Sequence, residues 1–308
     1  MEITGELFAA HRARLAALDP LLPGAAPPAA GERLDAATAD GRRVTGVLQR
    51  QRHGRDDAPM LWSAADTWQL FPYFGDTGTE GADALLRAWR ARLDHERPGA
   101  DSACVVNWPS RDAEAIRAFL DHGMVPLAAL AVRAGAPAAP ARADGIRIRR
   151  ATAADFDSVL ALTAATFDYT GLVAAPRRPN AAALLAPALR EDLAREPPTV
   201  WLAERDGAPV ACAQCAWLDA APGSEAAELL PPGHWGFVNT VVTAPGHRGT
   251  GVGRALMSRV HAVFHDEGAA GTYLYYNPTN PLSSVFWHRQ GYRPLWTSWE
   301  VRPASALR

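Results

Sequence analysis

Residues 248–253, Arg248-Gly249-Thr250-Gly251-Val252-Gly253, set an arginine ahead of three glycines that alternate with Thr250 and Val252. The apolar, β-branched run from Val238 to Thr243 precedes them and is broken by Ala244-Pro245-Gly246. After them Val252, Leu256, Val260 and Val263 fall at helical spacing. The order is strand, glycine turn, helix. Such a turn offers unpaired backbone N–H groups and the positive end of the helix dipole, which suits a phosphate. Glycine lets the phosphate approach because no Cβ intervenes. Two common phosphate loops are excluded. Arg254 stands where a dinucleotide fingerprint has its last glycine, and the Gly-Lys-Ser/Thr of a P-loop is missing.

Downstream, Thr272-Tyr273-Leu274-Tyr275-Tyr276 reads as a strand, and Asn280, Ser283, Trp287, Gly291 and Tyr292 follow it. The R-x-x-G-x-G of residues 248–253 resembles the acetyl-CoA pyrophosphate loop of the GNAT N-acetyltransferase superfamily. The downstream residues occupy, in register, that family's pattern of an asparagine, a small residue, an aromatic, then glycine and an aromatic.

The resemblance implies transfer of an acetyl group from acetyl-CoA to an amine. That reaction needs the thioester held beside the amine, a neutral amine, and a stabilised oxyanion. It also assigns residues. The backbone of Val241, Val242 and Thr243 would pair with the pantetheine arm. His247, Arg248, Gly249, Thr250, Gly251, Val252 and Gly253 would form the pyrophosphate loop, with Arg254 close by. Asn280, Ser283 and Trp287 would border the pantetheine and the sulfur.

Two positions depart from the family. Trp287 stands where members often carry a tyrosine that protonates the leaving thiolate, and an indole N–H cannot act as an acid. Asn239, six residues before Pro245, stands where many members carry a carboxylate. It cannot take a proton but can position a water that relays one. The replacement acid is expected at the end of the preceding strand, at Tyr275 or Tyr276, with Tyr276 favoured. His234 is a further candidate base, whereas His261 and His288 are expected on helices and solvated.

These residues need a scaffold. The carboxy-terminal part should open with a strand at Ile146–Ile148. A capping box follows at Thr152 and Asp155, starting a helix through Leu160 and Leu162. A helix is expected over Ala181–Ala194, then a hairpin of Val200–Glu204 and Pro209–Trp217. The loop from Ala220 to Gly233 borders the substrate site in this reading. The amino-terminal part reads as a helix over 5–19 and a loop over 21–31. Strands follow at Arg43–Leu48, Met60–Ser63 and Thr67–Phe71. Next come a helix at Ala82–Leu93, a strand at Ala103–Trp108 and a helix at Asp112–Asp121.

A shift of 168 residues carries Gly123-Met124-Val125-Pro126-Leu127 onto Gly291-Tyr292-Arg293-Pro294-Leu295, which suggests an internal duplication. The first copy has no phosphate loop. Its nearest match, Gly78 to Asp83, offers Glu80 and Asp83, which repel a pyrophosphate. Residues 1–143 are therefore expected to be a degenerate GNAT-like domain and 144–308 the catalytic one, with a linker over Ala134–Asp144. Each would be a twisted mixed β-sheet flanked by helices, of the α/β (α+β) class.

The chain has 308 residues and a formal charge of −2, so nucleic acid is not expected as a partner. All 31 basic residues are arginine. Neither a signal peptide nor a run near the ~20 residues of a membrane span is present, so a cytoplasmic protein without a membrane partner is expected. Cys104, Cys212 and Cys215 are too few for a disulfide framework and read as buried; no metal site is expected. Aromatic residues near the expected cleft favour a small molecule with an apolar body as acceptor over a protein lysine. The alternative is a non-catalytic acyl-CoA sensor or a tandem scaffold. The residues leave oligomeric state open.

Overall fold

The structure, a computed structural model, describes residues 5–24, 30–136, 140–173 and 177–308. Met1–Thr4, residues 25–29 of the expected loop and residues 137–139 of the expected linker lie outside the described residues.

The first half runs α1 (Gly5–Leu18), β1 (Glu32–Ala37), β2 (Arg43–Arg52), β3 (Asp66–Tyr73), α2 (Gly78–Glu96), β4 (Ser102–Pro109), α3 (Ala113–Asp121) and β5 (Val125–Ala134). The second runs β6 (Ile146–Arg150), α4 (Phe156–Val173), α5 (Ala181–Ala194), β7 (Val200–Arg205), β8 (Ala208–Ala220) and β9 (Gly233–Thr243). It ends with α6 (Val252–Asp266), β10 (Gly271–Tyr276), α7 (Pro281–Arg289) and β11 (Arg293–Val301).

Eleven strands form one twisted mixed sheet in the order β1-β2-β3-β4-β11-β5-β10-β9-β8-β7-β6. The last strand of each half therefore lies against the other half: β5 pairs with β10, and β11 with β4. The two junctions share a register. Tyr276 faces Ala129, and the pair 168 residues away in each strand, Trp108 with Thr297, is also formed. The parallel pairs agree likewise. β9 and β10 are last paired at Val238 and Leu274, β3 and β4 at Leu70 and Val106.

Packing follows the exchange. Trp299, Val301, Ala304 and Leu307 from the end of the chain are buried among Trp89, Leu85, Val106 and Phe119 of the first half. In the second half, α6 and α7 cover one face through Leu256, Val260 and Trp287. The other face is covered by α4 and α5, whose Val159, Leu189 and Leu193 meet Cys212 and Val242. Cys212 and Cys215 accordingly lie buried on opposite faces, as strand alternation requires.

Thr152 and Asp155 form the expected capping box ahead of α4. Met60–Ser63, expected as a strand, is instead the end of a 3-10 turn over Ala58–Leu61, with proline near its first position, and the bend that follows it. Pro59 sets a helical φ and has no N–H for a ladder. Gly78 to Asp83, the expected remnant of a phosphate loop, lies inside α2. His261, expected to be solvated, is buried, with Nε2 2.9 Å from the Tyr292 hydroxyl. Burial beside Arg133 pushes it down to about 3, so it stays neutral. Among the described residues no helix is long and apolar enough to cross a membrane.

Candidate active site

The cleft begins at a β-bulge. Along β9 and β8, Val238 faces Cys215 and Thr240 faces Gln214, so Asn239 is the extra residue. A bulge bends its strand and ends regular pairing on the other edge. Pairing with β10 stops one residue earlier, at Val238. From Thr240 to Thr243, β9 stays paired with β8 but has, among the described residues, no strand partner on the side of β10. That edge of polar backbone is bounded by Val241, half-buried, and Val242, 6% exposed.

Directly beyond it, Pro245–His247 make a 3-10 turn and lead into the glycine loop. Arg248 is exposed and donates from Nε to the Thr243 carbonyl at 3.1 Å. Its guanidinium lies 5.9 Å from the Tyr169 ring of α4. Thr250 ties the loop down by donating from Oγ1 to the His247 carbonyl at 2.7 Å. Gly249 (φ +78°) and Gly251 (φ +86°) have left-handed backbones, and no atom lies within 4 Å of where a Cβ would stand. Gly251 is also the N-cap of α6 and brings no side chain to its first N–H groups. The loop is therefore open space facing unpaired donors, which fits a pyrophosphate. Val252 is buried and Gly253 half-buried, while Arg254 is exposed on the first turn of α6.

The α7 residues divide. Asn280 caps the helix, its Oδ1 accepting from the backbone N–H groups of Leu282 (3.0 Å) and Ser283 (3.3 Å). The Ser283 hydroxyl turns to the Asn280 carbonyl. Trp287 is 7% exposed, packed edge-on to Phe286 and Tyr292, away from open space. The open surface of α7 is instead Leu282 and Val285, both about half exposed, with Phe286 against Gly253. Sequence reasoning missed this apolar strip, although Leu282 and Val285 stand three apart in plain view.

Strand parity separates the two tyrosines. Tyr276 points to the α6–α7 face, buried with Trp287 and 5.8 Å from the His288 ring. Tyr275 points to the opposite face, where Phe237 and Tyr273 stack at 4.7 Å and both meet it edge-on. It is 45% exposed, and desolvation of its hydroxyl pushes it up to about 12. It keeps its proton at neutral pH. Asn239 is exposed at the bulge. His234 lies at the opposite end of β9, paired with Asp219 and stacked on Trp217 at 4.2 Å. It is remote from the loop.

A parted parallel strand pair leading into an open glycine turn at a helix N-terminus suits a ligand with a phosphate group and an extended arm. The model of the Acetyltransferase (GNAT) family matches residues 166–292. The matched stretch lies in the carboxy-terminal half and is similar to the GNAT acetyltransferases, a family whose acyl donor is acetyl-CoA. Among solved structures, the chain is similar to a GCN5-related N-acetyltransferase from Sphaerobacter thermophilus. Identity is 15%, coverage 87% of this chain and 80% of that one, and the TM-score 0.54, a likeness of fold. A protein of the same description from Kribbella flavida has 17% identity over 98% and 96% of the two chains, with a TM-score of 0.46. One from Ralstonia eutropha JMP134 has 25% identity over 49% of this chain and 94% of that one, with a TM-score of 0.38. No curated protein matches the chain.

Proposed function

We propose that the second half transfers an acetyl group from acetyl-CoA to the amine of a small molecule. The observation that carries this reading is the parting of β9 from β10 at Val238 and Leu274, immediately before the open loop 248–253. Arg248, the backbone of Gly249 to Gly253 and nearby Arg254 would hold the pyrophosphate. The unpaired edge at Val241–Thr243 would bind the amides of the pantetheine, with Leu282, Val285 and Phe286 against its methylenes.

Acetyl-CoA supplies an acetyl group already activated as a thioester. The chain must then hold the amine in place, accept its proton and return one to the leaving sulfur. Tyr276 is buried, so we give the donor role to the exposed Tyr275, whose hydroxyl carries its proton at neutral pH. Asn239 would anchor the water that takes the amine's proton. The apolar wall of Phe237, Tyr273 and Tyr275 supports a small acceptor with an apolar body.

We assign the first half a non-catalytic role as a degenerate GNAT-like copy. Its strands part at the equivalent pair, but α1 fills the gap. His11 is buried there against Tyr73, Phe74 and Trp108, and Leu7 and Ala10 crowd Gly75. Calorimetric titration with acetyl-CoA tests the cofactor seat. Arg248→Ala should weaken binding by about 1.5–3 kcal/mol, the worth of hydrogen bonds to a charged group. Gly251→Val should weaken it more, since a branched residue is strained at positive φ. Unchanged affinity in both would remove the loop from this account.

A further inference from the structure

The connection between α4 and α5 is anchored in the other half of the chain. Arg178, its side chain 15% exposed, donates from Nε to the Met60 carbonyl and from Nη2 to the Ser63 carbonyl, each at 3.0 Å. The same guanidinium grips the Asp101 carboxylate, Nη1 to Oδ2 at 2.8 Å and Nη2 to Oδ1 at 3.2 Å. Two residues on, Asn180 donates from Nδ2 to the Arg55 carbonyl at 3.2 Å. Beneath these bonds Met60 and Leu61 pack on Leu184 of α5 and Phe167 of α4. Every acceptor belongs to the first half.

The carboxy-terminal end of α4 meets both walls of the cleft. Tyr169 lies against the Arg248 guanidinium, at the end of β9. The Val173 carbonyl accepts from Thr279 Oγ1 at 2.8 Å, just past the end of β10. The end of α4 thus touches both sides of the gap between the strands, and Arg178 lies five residues beyond Val173.

Resting on the acyl-CoA reading above, we propose that Arg178 is a positioning residue for the cleft. Clamped to Met60, Ser63 and Asp101, it fixes the end of α4 across the gap, so the first half sets the affinity of the second for its cofactor. A planar guanidinium suits the task because its fork makes several directed bonds at once, which a lysine ammonium does not reproduce. Releasing the clamp frees Tyr169 and Val173 to leave their partners, and the ordering lost must then be supplied on binding.

The test uses the full chain and coenzyme A as the probe, with calorimetric affinity and melting temperature read together. Arg178→Ala and Asp101→Ala should each weaken coenzyme A about tenfold, the size of a lost pre-organising contact. Arg178→Lys should fall between these and the parent, and it carries the test should Arg178→Ala not fold. The exchange of charges, Asp101→Arg with Arg178→Asp, should regain part of the loss. Lowered melting temperatures with parental affinity in all four would reduce the clamp to a structural contact and overturn the proposal. Failure of the parent chain itself to bind coenzyme A would instead sink the acyl-CoA reading.

Discussion

Arg248 and Tyr275 show how differently two proposed site residues can be read. Arg248 was legible because everything that defines it is local: a strand, a break, three glycines and a helix, within twenty residues. Tyr275 was not, because its direction depends on which face of β10 meets α6. That is set by packing of Leu274 and Tyr276 against residues far along the chain. The same limit hid Trp287, which the motif places at the sulfur and the structure buries among Phe286 and Tyr292. Tyr275→Phe should lower kcat by roughly 10²–10⁴-fold, the range for a positioned acid. Tyr276→Phe should leave kcat near the parent's, its ring being retained in the core. Steady-state kinetics on both variants decides; the reverse order would return the acid to Tyr276.

At the scale of elements, helices and strands with clear periodicity were readable, including α5 to its residue bounds. β1, Glu32–Ala37, was not, since Glu, Arg and Asp dominate it and no apolar alternation marks it. The place of α1 was hidden for the same reason that Tyr275 was: nothing local says that His11 enters a gap between β3 and β4. Burial, with Arg14 nearby, pushes His11 from 6.5 down to about 4. The sign follows. A base with a lowered folded-state pKa binds its proton more readily in the unfolded chain, so stability falls as pH drops from about 6.5 toward 4. His261, pushed down to about 3, acts in the same direction. Melting temperature measured between pH 7 and 4.5 should decline, and His11→Leu should make the decline shallower. An equal slope in the variant would mean that His11 accepts its proton in the folded state.

For the whole molecule, a shift of 168 residues suggested a duplication, but nothing in the sequence pointed to β5 and β11 each pairing with the other half. An exchanged strand has the same sequence as one that stays at home. Its consequence is that neither half owns a complete core. Residues 1–143 alone would lack Trp299, Val301 and Leu307, all buried in the first half's core. Losing one such large side chain costs about 3–5 kcal/mol. The fragment should therefore show no cooperative melt and no coenzyme A binding, by circular dichroism and calorimetry. A sharp transition like the parent's would contradict the shared core. The central claim, catalysis rather than mere binding, is met most directly by release of free thiol from acetyl-CoA, followed across a panel of small amines with apolar bodies. The account predicts amine-dependent thiol release by the parent chain that is abolished in Gly251→Val. Tight binding of acetyl-CoA without thiol release for any amine would contradict it and leave an acyl-CoA sensor.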